Sequence, residues 1–332
     1  MSVALTLPVQ LMIDKVSVLK NSNPLGNDID GWEVFLFNLH KLANDYNNLE
    51  DNIKNLSLEY DNSRIINNRL SNNETLNCQF ELPISLNRSN FPASLINDNI
   101  TIRVYFKSNV VYSGMTDTDL KMSNVQLALR YKEVKKDNLM VLYKQPKLSH
   151  LFNKKLFTKI ILNGINSGQQ YSLKIPSLNH IAGGVLIFIT PFSNNISYSN
   201  LNQYWHILDK SIDNVYITDP TGRNINNSNN VVSKEYNNYT ILNHFKNFSN
   251  AIKSLTNNNN NDGQLYYLSF CSDGSDSFNG QYSGGYNFKS SSDYTINFVS
   301  NTTYSKDLVL NMMWFCPSVI QLENKSLNEY YS

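Results

Sequence analysis

The residues with the most chemical promise stand together in Cys271-Ser272-Asp273-Gly274-Ser275-Asp276. Two carboxylates three positions apart beside a glycine, with backbone carbonyls to complete the shell, can ligate Ca²⁺. Asp273 and Asp276 are therefore the candidate metal ligands. The run lacks the further acidic ligands of an EF-hand loop, and an Asx-rich turn accounts for the same letters with no ion at all. Asp117 and Asp119 in SGMTDTDL pose the same choice.

Catalysis needs convergent groups, and the spacing shows none. GxSxG, HExxH, P-loop and GxGxxG-plus-acid patterns are all missing. His40, His150, His180, His206 and His244 are scattered without metal-ligand spacing and read as ordinary polar or capping residues. Cys78, Cys271 and Cys316 are odd in number and widely spaced, which argues against a disulfide framework or a zinc site and for buried free thiols. The expectation is no enzyme, no catalytic residues and no cofactor beyond that Ca²⁺ candidate. A net charge of +1 gives no field to steer nucleic acid or an anionic membrane, so no sequence-specific nucleic-acid partner is expected.

The rest of the composition describes a packed chain with a neutral polar surface. Hydrophobic residues make up 41% of 332 positions, enough for a sizeable core, and charged residues only 17%, with Asn and Ser in their place. The start, MSVALTLPVQLMIDK, lacks the basic head and long apolar run of a signal peptide, so a soluble product made in the cytosol is expected. Sequons at Asn87, Asn99, Asn195 and Asn301 arise from the Asn/Ser-rich composition and are expected to stay unmodified.

The elements that must position these groups are mostly strands. Leu265–Phe270 and Tyr294–Phe298 read as a late pair of strands joined by a wide Gly/Ser/Asp connection, with Tyr266, Tyr267, Tyr282 and Tyr286 at the water boundary. Period-2 alternation predicts strands at Ile100–Phe106 and Val125–Tyr131, and strand composition predicts Ala4–Val18 (interrupted at Pro8) and Gln79–Leu86. Beyond a handover segment at Lys132–Leu148, short strands follow at Lys159–Leu162, Tyr171–Ile175, Val185–Thr190, Trp205–Leu208 and Asn214–Thr218. Leu308–Phe315 is apolar at nearly every position, which requires both faces to be covered; the tail after Pro317 is expected to lie along a surface or to await a partner.

Two segments break the strand pattern. From Trp32 the apolar residues fall three and four apart, predicting a helix over 31–49 with Asp30 as N-cap and Glu33 completing a capping box. A second amphipathic helix is predicted over Tyr239–Leu255. Asn52–Asn77 fits no clean assignment. The whole reads as all-β, with one amphipathic helix in each half.

Three segments together resemble the double jelly-roll major capsid proteins of icosahedral DNA viruses, the lineage of large eukaryotic DNA viruses and internally membraned phages. They are ELPISLNRSNFPASLINDNITIRVYF at Glu81–Phe106, DLKMSNVQLALRYKEV at Asp119–Val134, and YYLSF followed by SGGYNFKSSSDYTINF before the last strands. NPLGNDIDGWEVFLFNL is similar to that family's turn into a helix. The resemblance implies two side-by-side eight-stranded jelly rolls, 1–145 and 146–332 with the tail. It implies a homotrimer that tiles a shell as a pseudo-hexamer, in contact with neighbouring capsomers and minor capsid or penton proteins, over a possible internal membrane. The product would end in the virion after synthesis in the host cytoplasm. Architectural residues are then Trp32 and Phe245, anchoring the two helices; Pro83 and Pro92, bending the chain before Ile100; and Gly284, Gly285 and Phe288, shaping re-entry into the late strand. The alternative is a trimeric or monomeric β-sandwich glycan- or receptor-binding module, spike-like or lectin-like, using Tyr282, Tyr286 and the Asp273 loop. A jelly-roll hydrolase or cupin-like oxygenase would need clustered His or carboxylates that the spacing does not show.

Overall fold

The structure, a computed structural model, describes residues 13–35, 37–38, 80–85, 93–106, 125–128, 135–192, 212–225, 266–271, 283–290, 293–305 and 307–331. Its strands are β1 (Ile13–Lys20), β2 (Asn23–Pro24), β3 (Ile29–Asp30), β4 (Ile100–Phe106), β5 (Lys147–Leu162), β6 (Gln170–Lys174), β7 (Ile181–Ala182), β8 (Gly184–Pro191), β9 (Ile212–Thr218), β10 (Tyr266–Ser269), β11 (Tyr286–Asn287), β12 (Thr295–Ser300), β13 (Leu308–Glu323) and β14 (Ser326–Tyr331). Helix α1 comprises residues 31–35 and 37–38. Helix α2 is Lys136–Tyr143.

From residue 147 onward the pairing is nested and antiparallel throughout. β5 pairs with β13, β6 with β12 and β8 with β10, while β13 also pairs with β8 and β12 with β9. The outer strands thus close over the inner ones, giving one sheet in the order β5-β13-β8-β10 and an opposing sheet in the order β6-β12-β9. That wrapping is a jelly roll, here seven strands among the described residues. The two sheets enclose Val185, Ile187, Ile189, Ile217, Leu268, Ile296, Phe298, Leu310, Met312 and Trp314, all at 1% exposure or less.

β10 and β12, expected as a pair, lie in opposite sheets. The connection between them is wide because it crosses the sandwich. Tyr266 and Tyr267, expected at the water boundary, are buried: Tyr266 points into the core, where its hydroxyl donates to the Ile212 carbonyl, and Tyr267 packs against Phe315 on the outer face. That outer face is dry because α1 covers it. The Trp32 ring lies 5.2 Å from Phe188 of β8, and the Lys155 ammonium sits between the rings of Phe37 and Phe315. Leu308–Phe315 therefore has partners on both faces, as its unbroken apolar run requires.

The first half is built around β1, which pairs with β2, β3 and β4. β4 shows the expected alternation, its odd residues exposed and its even ones half-buried. The β1–β2 turn holds Asn21 and Ser22 at φ of 48° and 71°, the left-handed geometry of a two-residue hairpin. Asp30 Oδ1 accepts from the Trp32 N–H at 2.8 Å, the N-cap bond that starts α1.

Gln79–Leu86 was expected as a strand, but residues 80–84 carry no ladder. A side chain supplies the pairing instead. Asn38 Nδ2 donates to the Glu81 carbonyl at 2.8 Å while Asn38 Oδ1 accepts from the Glu81 N–H at 2.9 Å, satisfying both backbone groups from α1. Val125–Tyr131 was also expected as a strand; its described part, 125–128, is irregular and exposed, with Val125 at 66% and Leu127 at 57%. Alternating letters make a strand only where a neighbour closes the ladder. The handover segment holds α2, and β5 starts at Lys147 rather than Lys159.

The tail after Pro317 does not merely lie along a surface; it continues the sheet and contributes to a core. β13 runs unbroken to Glu323, turns through Asn324 and Lys325 (φ 51° and 65°), and returns as β14. Ile320, Leu322 and Leu327 are buried in one cluster with Ile13, Val16, Val18, Ile29, Val34 and Phe152. Pro317 does not stop the strand because its missing N–H falls in a gap. The Phe315 carbonyl accepts from Gly183 on the β8 side, and Pro317, two residues on, faces that same side. There β8 has ended at the Phe315 rung and β14 begins only at Ser318.

β5 and β13 are each 16 residues long, so their ribbon spans about 53 Å. One face of this ribbon lines both cores, with Leu156, Trp314 and Cys316 in the second and Phe152, Ile320 and Leu322 in the first.

Candidate functional site

Where the ribbon passes from one core to the other, its inward face turns polar. Lys154, on that face of β5, places Nζ 2.7 Å from Glu329 Oε1 of β14, with side chains 10% and 4% exposed. Ser85 Oγ donates to Glu329 Oε2 at 3.2 Å. Gly26 comes from the first half into the same spot. A Cβ there would stand 2.9 Å from both Glu329 oxygens and from Lys154 Nζ, and its φ of +81° is a glycine conformation besides. Burial, and then the nearby Lys154 and Lys289 ammonium groups, hold the His180 imidazole below its ordinary pKa.

The far end of the β13–β14 hairpin is clasped by the loop before β4. Asp98 Oδ2 accepts from the Leu327 N–H at 2.6 Å and from Ser326 Oγ at 3.1 Å, and Asn21 Nδ2 donates to Asp98 Oδ1 at 2.7 Å. The Leu327 bond is the first cause of an Asp98 carboxyl held below the usual range. The Asn97 N–H donates to the Lys325 carbonyl at 3.0 Å, and Lys20 Nζ to Asn328 Oδ1 at 2.9 Å. None of these groups is arranged as a nucleophile with its base; they position elements against one another.

The residues singled out in the sequence fall in three places. Trp32 is buried at 2% between Phe35 and Phe188, so its ring bridges α1 to the sheet of the second half. Pro83 is buried in the segment that Asn38 clamps. Gly284, Gly285 and Phe288 gather at the re-entry. The Gly284 carbonyl accepts from Cys271 Sγ at 3.5 Å, and a Cβ on Gly285 would meet the Ala182 carbonyl and Ile181 Cγ2 at 3.1 Å. Phe288 is 1% exposed, with ring centroids of Tyr294, Trp314, Tyr286 and Phe270 at 4.8 to 5.4 Å. Pro92, Phe245, Asp273, Asp276 and the predicted helix over Tyr239–Leu255 lie outside the described residues.

Among the described residues no three His, Cys, Asp or Glu side chains gather as a metal site. Cys271 and Cys316 are buried and not joined in a disulfide, and burial pushes the Cys316 thiol far above its ordinary value, away from nucleophilic use. Tyr286, proposed as a stacking surface for a glycan, is packed edge-on against Phe288 and Tyr294. The sequence reading missed Lys154, Glu329 and Asp98, since a buried ion pair 175 residues apart leaves no local pattern.

No protein-family model matches the sequence, and no curated protein matches it. The fold does match solved structures. VP54 of the virus PBCV-1, a crystal structure fitted into a cryo-EM reconstruction of the virophage Sputnik, is similar over 98% of this chain and 84% of that chain, with a TM-score of 0.53 and 12% identity. A quasi-atomic model of the PBCV-1 virus capsid is similar over the same shares, with a TM-score of 0.51 and 10% identity. What is shared at such identities is architecture, and the chain has the double jelly-roll fold.

Proposed function

We propose that this chain is a structural subunit of an icosahedral virus shell and works by self-assembly rather than by catalysis. The observation that carries the reading is the pair of sandwich cores strung on one β5–β13 ribbon, an architecture similar over 98% of the chain to a protein fitted into a viral reconstruction. Two rigid sandwiches side by side give three chains six similar lobes, which pack as a pseudo-hexamer on a lattice. The proposed partners are two further copies in a homotrimer, then neighbouring capsomers and minor capsid or penton proteins, with an internal membrane beneath the shell. The proposed location is the virion, after synthesis in host cytoplasm. The low charge supports this, because closing large obligate interfaces over Asn, Ser and Tyr desolvates few ions.

Light scattering on a sizing column, with negative-stain microscopy of the peak, tests the proposal. Particles of three chains, each 38.0 kDa, with a pseudo-hexagonal outline are expected. A monomer that binds glycans and never forms such particles overturns it in favour of the binding module. The proposal assigns no cofactor; melting with and without chelator tests whether Asp273 and Asp276 take Ca²⁺ in the assembled particle.

A further inference from the structure

We propose that residues 318–331 are a latch: the first sandwich remains unfinished until the β13–β14 hairpin is laid into it, so the first half becomes rigid only after the second has formed. The inference rests on the fold alone and is independent of the capsid reading. The first core draws Ile320, Leu322 and Leu327 from this hairpin, the three being at most 4% exposed, and Phe152 from β5. Without them the cluster that holds Ile13, Val16 and Val18 loses a quarter or more of its buried side chains.

The polar anchors repeat the pattern. Asp98 waits for the Leu327 N–H and the Ser326 hydroxyl, the Asn97 N–H for the Lys325 carbonyl, and Ser85 for Glu329. Each is a first-half group whose partner lies more than 220 residues later. Closing such loops one at a time is entropically expensive. The second core removes that expense, because pairing of β13 with β5 and β8 over Leu308–Phe315 fixes the strand whose continuation carries the hairpin. The ladder with β5 continues without a register break to Glu323, so the hairpin is delivered in its final orientation. The Lys154–Glu329 pair then seals the crossing point, with Gly26 closing over it.

Two experiments on the full chain test the latch. In refolding followed by pulsed hydrogen exchange, amides of 13–20 and 100–106 are expected to gain protection only after those of 184–191 and 308–316. Protection of 13–20 and 100–106 first, or at the same time, overturns the proposal. In native-state exchange of Leu327→Ala, protection in 13–20 and 100–106 should fall by at least about 30-fold while 184–191 and 295–300 stay within about threefold. Equal loss in both halves, or no loss in the first, also overturns it. Should Leu327→Ala fail to accumulate, Asp98→Ala, which removes the acceptor of two hairpin donors and of the Asn21 amide, supports the same comparison in milder form, with Asn21→Ala as the control for the Asn21 bond alone.

Discussion

The Lys154 ammonium stands 2.7 Å from the Glu329 carboxylate in nearly dry surroundings, at the level where the β5–β13 ribbon leaves one core and enters the other. The apolar contacts on either side are non-directional. A charged pair with a hydroxyl donor and a glycine shaped around it has one favourable arrangement. Its contribution is therefore to fix how the halves sit, more than to hold them together.

Glu329→Leu leaves a buried ammonium without its counter-ion and should cost about 3–5 kcal/mol in urea unfolding; Lys154→Met should cost a similar amount. The double variant should recover most of that loss, because it buries no charge. A double variant as unstable as the two losses combined would mean that the residues act independently.

Trp32 is the second link between the halves. Its ring, 5.2 Å from Phe188, lets α1 of the first half roof the sheet of the second. Trp32→Ala should destabilise by about 3–5 kcal/mol. Exchange protection should fall in β8 as well as in α1, and a loss confined to α1 would contradict the bridging role.

Local periodicity made parts of this fold legible and hid others. The alternation of Ile100–Phe106 and the unbroken apolar run of Leu308–Phe315 each report the chemistry of the two faces of a strand, and the structure bears both out. Pro317 misled because a proline ends a strand only where its N–H is needed, and whether β8 still flanks it there is a tertiary fact. The start of β5 was hidden because this part of the strand carries Lys154 and Lys155, two charged residues that interrupt the apolar pattern and are nonetheless buried. Val125 and Leu127 show the converse, a strand pattern that no ladder takes up.

Phe288 closes the second core where the chain re-enters it after Gly285. Phe288→Ala should cost about 3–5 kcal/mol, and a second readout separates lost packing from a general loosening. Burial, with Tyr294 beside it, pushes the Tyr286 phenol up to about 12. Opening the cavity to water should return that titration toward its ordinary 10.0, seen as tyrosinate absorbance appearing at lower pH. A destabilised variant whose Tyr286 still titrates high would mean that Phe288 does not keep water from it.

His180 gives the molecule an acid-sensitive point beside the crossing of the ribbon. Burial first, and then Lys154 and Lys289, keep its folded pKa below the ordinary 6.5. Above that value the imidazole is neutral in both states and its burial carries no proton-linked penalty. As pH falls through 6.5 the unfolded chain binds a proton that the folded chain resists, so stability is lost until the folded pKa is reached, and then levels off. Melting temperature followed from pH 8 to pH 5 should therefore fall in the wild type, and His180→Gln should flatten that part of the curve while leaving the carboxylate-driven fall near pH 4. An unchanged slope in His180→Gln would place the sensitive group elsewhere.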